Sequence, residues 1–148
     1  MSAVRHADVT WKGDLLEGSG VINYVTSGAI SRLPVTWASR TEEHHGRTSP
    51  EELIAAAHAA CFSMAFSNHL AKNGTPATSL DTRATVTFDQ VEGGWRIVTS
   101  LLTVRGVVPG IDHARFEELA EAAKDGCPVS QALKGNVELL VEASLAAN

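Results

Sequence analysis

The chain contains two cysteines, and thiols are the side chains in it best suited to redox chemistry. Cys61 lies in the apolar stretch EELIAAAHAACFSMAFSNHL. A buried cysteine often packs as a small hydrophobic residue, and burial keeps its thiol unreactive unless a cation lies nearby. Cys127 precedes Pro128 at the start of a predicted short helix, where free backbone N–H groups favour a thiolate. Local chemistry alone therefore predicts that Cys127 is the more acidic thiol, with packing or helix capping as the alternative roles.

The two cysteines together indicate thiol redox chemistry more strongly than either does alone. In a thiol peroxidase, one thiolate attacks the O–O bond and becomes a sulfenic acid, and a second thiol then condenses with it to a disulfide. The chain has no C-x-x-C motif, which disfavours a general thiol–disulfide oxidoreductase. The spacing of the two cysteines leaves open whether they meet in space.

The histidines are weaker candidates for function. His58 lies three residues before Cys61 and could act as a general base on the same helix face, but we favour a hydrogen-bonded core histidine. His44 and His45 are adjacent in a polar loop, and with His69 or Cys61 they match no zinc motif. We predict no metal. We also predict no cofactor, since the chain has neither a glycine-rich phosphate loop nor a dinucleotide fingerprint.

A long helix must hold Cys61. The segment TSPEEL has the pattern of a helix start, with Ser49 at the N-cap, Pro50 as the first helical residue and Glu52 completing a capping box. The helix is predicted to continue to about Lys72 and to end near Gly74. Apolar residues cover most of its circumference, which predicts a central position in the fold.

Strands are predicted on either side of this helix in the chain. Runs of β-branched and aromatic residues separated by glycines predict six strands, at about residues 7–13, 19–30, 34–39, 82–91, 95–108 and 136–145. Two shorter helices are predicted over 109–126, with Asp112 as a possible N-cap, and over 127–135. Antiparallel runs of strands with helices between them predict an α+β fold, with antiparallel sheets packed around the long central helix.

Composition places the chain among ordinary globular proteins. Its 148 residues suit one domain, predicted as 1–148, with 44% hydrophobic and 20% charged residues. The net charge of −5 and the lack of a basic cluster argue against a nucleic-acid partner. The polar N-terminus has no apolar signal region, and the apolar run 53–66 is too short for a membrane span. We therefore predict a cytoplasmic protein without a membrane partner.

Several segments resemble one known family. TSPEELIAAAHAACFSMAFS and CPVSQALKGNVEL are similar to the two signature segments of the OsmC/Ohr family, the osmotically inducible and organic-hydroperoxide-resistance proteins. VTWKGDLLEGSG, WASRTE, VVPGID and the overall length also match the OsmC branch. The resemblance therefore covers essentially the whole chain, and it is far more specific than either cysteine.

The resemblance implies both a fold and an activity. The implied fold is an intertwined α+β homodimer with two active sites at the subunit interface. The implied activity is that of a thiol-dependent peroxidase, which reduces organic hydroperoxides well and hydrogen peroxide less well. The family resemblance also implies an external dithiol as the reductant, such as a lipoylated protein.

Four residues carry the family's catalytic roles by resemblance. Cys61 matches the peroxide-attacking thiol, and Cys127 matches the resolving thiol. Arg40, in WASRTE, matches the active-site arginine, and Glu51 matches the carboxylate that orients it. A guanidinium beside Cys61 would lower the pKa of its thiol and stabilise charge on the departing oxygen. This assignment reverses the order of acidity predicted from local chemistry.

The positions along the helix constrain how Glu51 takes part. Glu52 is occupied by the predicted capping box, whereas Glu51 is free to reach elsewhere. Ten residues of straight helix span about 15 Å, so Glu51 cannot contact Cys61 within one unbroken helix. Either the helix breaks between them or the other subunit contributes the Arg40–Glu51 pair.

An apolar substrate would suit the surroundings of the thiol. Near Cys61, four apolar side chains are candidates to line a pocket with few polar groups. They are Ile54, Phe62, Met64 and Phe66. The alternative is a non-catalytic domain of the same fold that binds a small apolar ligand or serves in a stress response. Such a domain would keep its function after a Cys61→Ser substitution.

Overall fold

The computed structural model describes residues 1–147, which form two compact units. The first unit spans Met1–Leu53 and the second begins at Ile54. The first contains an antiparallel sheet in the order β1–β2–β3, formed by Ala7–Lys12, Ser19–Val25 and Ser31–Val35. The mixed α+β composition confirms the predicted fold class, while the single domain 1–148 stays a prediction.

A short helix, α1 (Ala38–Thr41), follows the first sheet. The strand predicted at 34–39 is therefore wrong beyond Val35, where β3 ends. The cause is local, because Thr36 and Ser39 each accept a hydrogen bond from the other's backbone N–H at 3.1 Å. Such side chain–backbone bonds compete with the hydrogen bonds of a strand ladder. They turn the chain into the helix that carries Arg40.

The long helix α2 (Pro50–Lys72) has the bounds predicted from sequence. Ser49 Oγ accepts the backbone N–H of Glu52 at 3.1 Å, as expected of an N-cap. The Glu52 carboxylate accepts a hydrogen bond from the Thr48 hydroxyl, also at 3.1 Å. Gly74 follows the helix with a φ of +83°, a conformation that glycine adopts without strain. The helix start and stop were thus encoded locally.

One face of α2 is buried and another is not. His58, Phe62, Phe66 and Leu70 recur every four residues and are fully buried. On another face, Ala56, Ala57 and Ala60 are exposed, and Met64 is 69% exposed. Helix α2 therefore packs into the core of the second unit along one face and leaves another face exposed in this single chain. Its other apolar face is available for contact.

The second unit contains the remaining strands and helices. Two long strands, β4 (Ser79–Val91) and β5 (Gly94–Val107), form an antiparallel hairpin. Helices α3 (His113–Gly126) and α4 (Pro128–Leu133) then lead to β6 (Glu138–Leu145). Asp112 caps α3 as predicted, since its side chain accepts the N–H of Arg115 at 2.8 Å.

Strand β6 pairs with β5 in parallel. The expectation of wholly antiparallel sheets is therefore wrong for this pair. Parallel neighbours need a long crossover, and α3 with α4 supplies one between β5 and β6.

The core of the second unit lies between α2, α3 and β5. Phe66 has its ring centroid 5.4 Å from that of Phe62 and 4.9 Å from that of Phe116. Leu102 of β5 and Cys127 are buried in the same cluster. The second cysteine therefore belongs to the core against which the helix of the first cysteine packs.

Candidate active site

The fold brings Cys61 and Cys127 together. Cys61 lies on α2 and is partly buried, whereas Cys127 is fully buried between α3 and α4. Cys61 packs against the buried cluster that contains Cys127, the Cys127 side chain acts on the pKa of the Cys61 thiol, and both thiols are reduced. A thiol that attacks a substrate must be accessible from solvent, whereas a thiol that only forms a disulfide with a neighbouring cysteine can be buried. The geometry thus suits attack at Cys61 and resolution at Cys127.

Cys127 occupies the junction of two helices. Its backbone N–H donates to the carbonyl of Ala123 at 2.9 Å and ends α3, while its carbonyl accepts from Gln131 at 3.0 Å and begins α4. Pro128 is the first residue of α4, as predicted. The Cys127 side chain makes no capping bond to α4. The backbone of Cys127 is therefore fixed by hydrogen bonds on both sides.

The pKa of the Cys61 thiol is raised above its ordinary value, chiefly by burial. The adjacent Cys127 side chain raises this pKa further, through its hydrogen bond and its charge when ionised. The backbone N–H of Val129, in the first turn of α4, donates to Cys61 and lowers the pKa. The sequence predicted that the N–H groups at the start of α4 favour the Cys127 thiolate. In the structure, the Val129 backbone at this helix start lowers the pKa of Cys61. A further cation is still needed to make Cys61 reactive.

Arg40 and Glu51 form an ion pair within the first unit. Arg40 Nη2 lies 2.6 Å from Glu51 Oε1, and Nε donates to both carboxylate oxygens at 3.2 and 3.3 Å. Glu51 is buried, with 6% of its surface exposed, whereas the Arg40 side chain is 27% exposed. The guanidinium also lies over the Trp37 ring, 5.4 Å from its centroid. A fork-shaped pair of this kind holds the arginine in one orientation.

Helix α2 is continuous from Pro50 to Lys72. The sequence left two ways in which the Arg40–Glu51 pair could reach the Cys61 thiol. One was a break in the helix between Glu51 and Cys61, and the other was a pair contributed by a second subunit. Helix α2 shows no such break. The route through a second subunit stays a prediction.

An apolar cavity of about 270 Å³ lies beside Arg40 in the first unit. Its lining is Trp11, Leu15, Val35, Thr36, Trp37, Arg40 and Pro50. These are mostly apolar groups with a single charged side chain, a lining typical of sites for small apolar molecules with one polar end.

The predicted lining by Phe62 and Phe66 is wrong, because both rings are fully buried in the core. Met64 is exposed on α2. The sequence pattern of α2 identified its apolar residues. It did not predict which of them are buried in the core and which are exposed. Trp11 and Leu15 were missed, since nothing in their local sequence points to a pocket.

His58 is fully buried and hydrogen-bonded through both ring nitrogens. Nδ1 lies 2.7 Å from Ser100 Oγ on β5, and Nε2 lies 2.7 Å from Ser130 Oγ on α4. A neutral imidazole can donate through one nitrogen and accept through the other, so both serines are satisfied. This confirms the interpretation of His58 as a hydrogen-bonded core residue. Neither serine could be identified from sequence, since both lie far from His58 along the chain.

Burial lowers the pKa of His58 below its ordinary value of 6.5. The unfolded chain therefore binds this proton more readily than the folded protein. The stability contributed by neutral His58 is fully present above the unfolded pKa and is lost as the pH falls below it.

We expect the free energy of unfolding to fall as the pH is lowered from 6.5 to 5.5, with His58 contributing up to about 1.4 kcal/mol per pH unit. In a His58→Gln variant this contribution should disappear. A Ser100→Ala variant is the matched control, since it loses a buried hydrogen bond but keeps the titrating imidazole. Urea unfolding of the three proteins at both pH values measures the slopes. Equal slopes in the native and His58→Gln proteins would contradict the expectation.

None of the helices in residues 1–147 is both long enough and apolar enough to cross a membrane.

Comparison with known proteins places the chain in a family. The OsmC-like protein family model matches residues 43–142. Peroxiredoxin OsmC of Escherichia coli is 42% identical over 139 residues, covering 94% of this chain and 96% of that protein. Organic hydroperoxide resistance protein OhrB of Bacillus subtilis is 29% identical over 143 residues, covering 95% and 98%.

The fold agrees with solved structures of the same family. The crystal structure of Bacillus subtilis OhrB matches with a TM-score of 0.72 at 27% identity, over 93% of this chain and 97% of that one. An organic hydroperoxide resistance protein OsmC from Legionella pneumophila matches with a TM-score of 0.70 at 22% identity, over 99% and 100%.

The chain belongs to the OsmC-like protein family. The predicted membership and the predicted enzyme class, a cysteine-based peroxidase, are both confirmed by these relatives. The substrate, the two-cysteine mechanism and the homodimer are finer statements that the relatives leave as predictions.

Proposed function

We propose that this chain reduces organic hydroperoxides through a cycle in which Cys61 attacks the peroxide and Cys127 resolves the product. The observation that carries this proposal is the pairing of the partly exposed Cys61 with the buried Cys127. A disulfide needs its two sulfurs to come within bonding distance. Two side chains that already pack in the same cluster require only a small movement to meet that condition.

The cycle balances in three steps. The Cys61 thiolate attacks one peroxide oxygen, the O–O bond breaks, and a proton from solvent completes an alcohol and a Cys61 sulfenic acid. The Cys127 thiol then displaces water from that sulfenic acid to give a disulfide. An external dithiol reduces the disulfide by exchange and leaves as its own cyclic disulfide.

Arg40 and Glu51 are proposed to activate this chemistry. Burial disfavours the Cys61 thiolate, so a positive charge is needed to lower the thiol pKa. Arg40 offers a guanidinium held in one orientation by the buried Glu51 carboxylate. The same charge would stabilise the oxygen that leaves when the O–O bond breaks.

The proposed substrate class follows from the cavity beside Arg40. A hydroperoxide with an organic group would place its alkyl part against Trp11, Leu15 and Trp37 and its polar end toward the guanidinium. Hydrogen peroxide has no alkyl part and gains nothing from these contacts. Each methylene group contributes about 1–3 kcal/mol in an apolar pocket, which predicts a preference for organic hydroperoxides.

The proposed assembly is a homodimer with sites that combine both subunits. Ten residues of straight helix span about 15 Å, so we take the Arg40–Glu51 pair of a second subunit as the better candidate for each thiol. The exposed apolar face of α2, which carries Ala56, Ala60 and Met64, supports the proposal that a second copy packs there. The cytoplasmic location and the identity of the dithiol stay predictions.

Steady-state turnover tests the function directly. With dithiothreitol or a lipoylated protein as reductant, we expect cumene hydroperoxide to be consumed with a kcat/KM at least about tenfold above that for hydrogen peroxide. Peroxide loss is measured against a protein-free reaction. Absence of turnover with every reductant would favour the alternative, a non-catalytic domain that binds a small apolar ligand.

A further inference from the structure

His58 links three elements of the second unit through two hydrogen bonds. It lies on α2, three residues before Cys61, and its ring nitrogens contact Ser100 on β5 and Ser130 on α4, both at 2.7 Å. All three side chains are buried, with at most 1% of their surface exposed. A buried polar network is costly unless every member is satisfied, so this one holds its elements in a defined arrangement.

Helix α4 contributes two groups to the surroundings of Cys61. Cys127 precedes the helix and lies in the cluster against which Cys61 packs, and the Val129 backbone, two residues further on, lowers the pKa of the Cys61 thiol. The helix has six residues, and Ser130 lies next to Val129 in its first turn. A contact that holds Ser130 in place therefore also holds Cys127 and Val129 in place.

We propose that His58 and Ser130 are positioning residues, whose hydrogen bond sets α4 against α2 so that the Cys127 thiol and the Val129 N–H stay aligned on Cys61. The proposal rests on the proposed two-cysteine cycle and adds residues that touch neither peroxide nor reductant. His58 acts here as a neutral link between helices, in contrast to the general base that its position near Cys61 suggests. The hydrogen bond to Ser100 joins the imidazole to β5 and makes no contact with α4.

Disulfide formation without peroxide tests the alignment separately from peroxidase activity. Diamide takes two electrons and two protons from a pair of thiols, giving a disulfide and the corresponding hydrazine. In the native protein it should join Cys61 to Cys127. A Ser130→Ala variant should close this disulfide about tenfold to about a hundredfold more slowly, since a displacement of about 1 Å has effects of that size on an intramolecular step. Mass spectrometry of quenched samples follows the loss of the two thiols.

A second readout reports on the Val129 N–H. Since this hydrogen bond favours the thiolate of Cys61, loosening α4 should move the alkylation of Cys61 by iodoacetamide to higher pH. The alkylation profile is measured on the Cys61 peptide of each variant. Ser100→Ala is the matched control, because it also removes a 2.7 Å bond from His58 in the core but leaves the bond to α4 intact.

The outcomes separate the possibilities. Slower closure and a shifted profile in Ser130→Ala, with closure in Ser100→Ala within about twofold of native, support the positioning role. Equal effects in the two variants, or native behaviour in Ser130→Ala, overturn it. A native protein that closes its disulfide with diamide but consumes no peroxide would contradict the proposed function and leave the positioning role standing.

Discussion

Replacing Cys61 with serine is expected to lower kcat/KM for organic hydroperoxides by at least about a thousandfold, the scale of losses when a nucleophile is removed. A serine hydroxyl is not ionised near neutral pH and cannot form a sulfenic acid. The substitution is nearly isosteric at a partly buried position, so the fold should survive it. Peroxide consumption by the variant and the native protein is compared after both are shown to unfold at similar temperatures.

The matched variant Cys127→Ser should behave differently. One equivalent of peroxide should still be consumed in a single turnover without reductant, because Cys61 remains. The product should be a Cys61 sulfenic acid that dimedone traps, since no second thiol condenses with it. Dithiothreitol can reduce a sulfenic acid directly, so single turnovers without reductant are the informative measurement.

The opposite pattern would support the order of acidity predicted from local chemistry. If Cys127 were the attacking thiol, the Cys61→Ser variant would accumulate a sulfenic acid at Cys127, and Cys127→Ser would be inactive. The geometry argues against that result. Cys127 is fully buried, whereas Cys61 is partly exposed and its pKa is lowered by the Val129 backbone in the first turn of α4.

What the sequence predicted well was encoded by neighbouring residues. The start of α2 depends on Ser49 and Pro50 and its end on Gly74, all acting within a turn or two of the backbone. Helix α3 was likewise predicted from Asp112, whose side chain caps it. The element α1 was missed although its cause is local, since Thr36 and Ser39 lie in a stretch with strong strand propensity.

What the sequence could not predict depends on contacts between distant segments. Strand β6 is parallel to β5 because two helices intervene, which propensity does not show. His58 finds its partners 42 and 72 residues away. The direction of the Val129 N–H depends on how α4 packs against α2. The order of acidity at the two thiols stays a prediction, since burial raises the pKa of Cys61 while the Val129 backbone lowers it.

Replacing Arg40 with methionine is expected to lower the rate of peroxide attack by at least about a hundredfold. Lysine at this position should restore only part of the rate, because an ammonium group cannot form the fork-shaped contacts that orient the guanidinium on Glu51. Glu51→Gln should cost less, since the arginine keeps its charge and loses its fixed orientation. Stopped-flow single turnovers at Cys61 measure these rates.

Stability provides the control on the same pair. Arg40→Met leaves the buried Glu51 carboxylate without its cation, which should cost about 1–3 kcal/mol. The double variant Arg40→Met/Glu51→Gln removes the uncompensated charge and should recover part of that loss. If the double variant regains stability but not activity, the role of Arg40 in the reaction is separate from its role in folding. If activity returns with stability, the arginine is only structural.

Mixing two inactive chains determines which subunit supplies Arg40. In a mixed dimer of Cys61→Ser with Arg40→Met, a site shared between subunits can combine an intact cysteine with an intact arginine. Random association then restores about a quarter of the native activity, since half of the dimers are mixed and each has one complete site. If both residues act within one chain, every site in the mixture lacks one of them and no activity returns. Light scattering on the native protein identifies the dimer itself, so an inactive mixture of proven dimers would place Arg40 in the same subunit as its thiol.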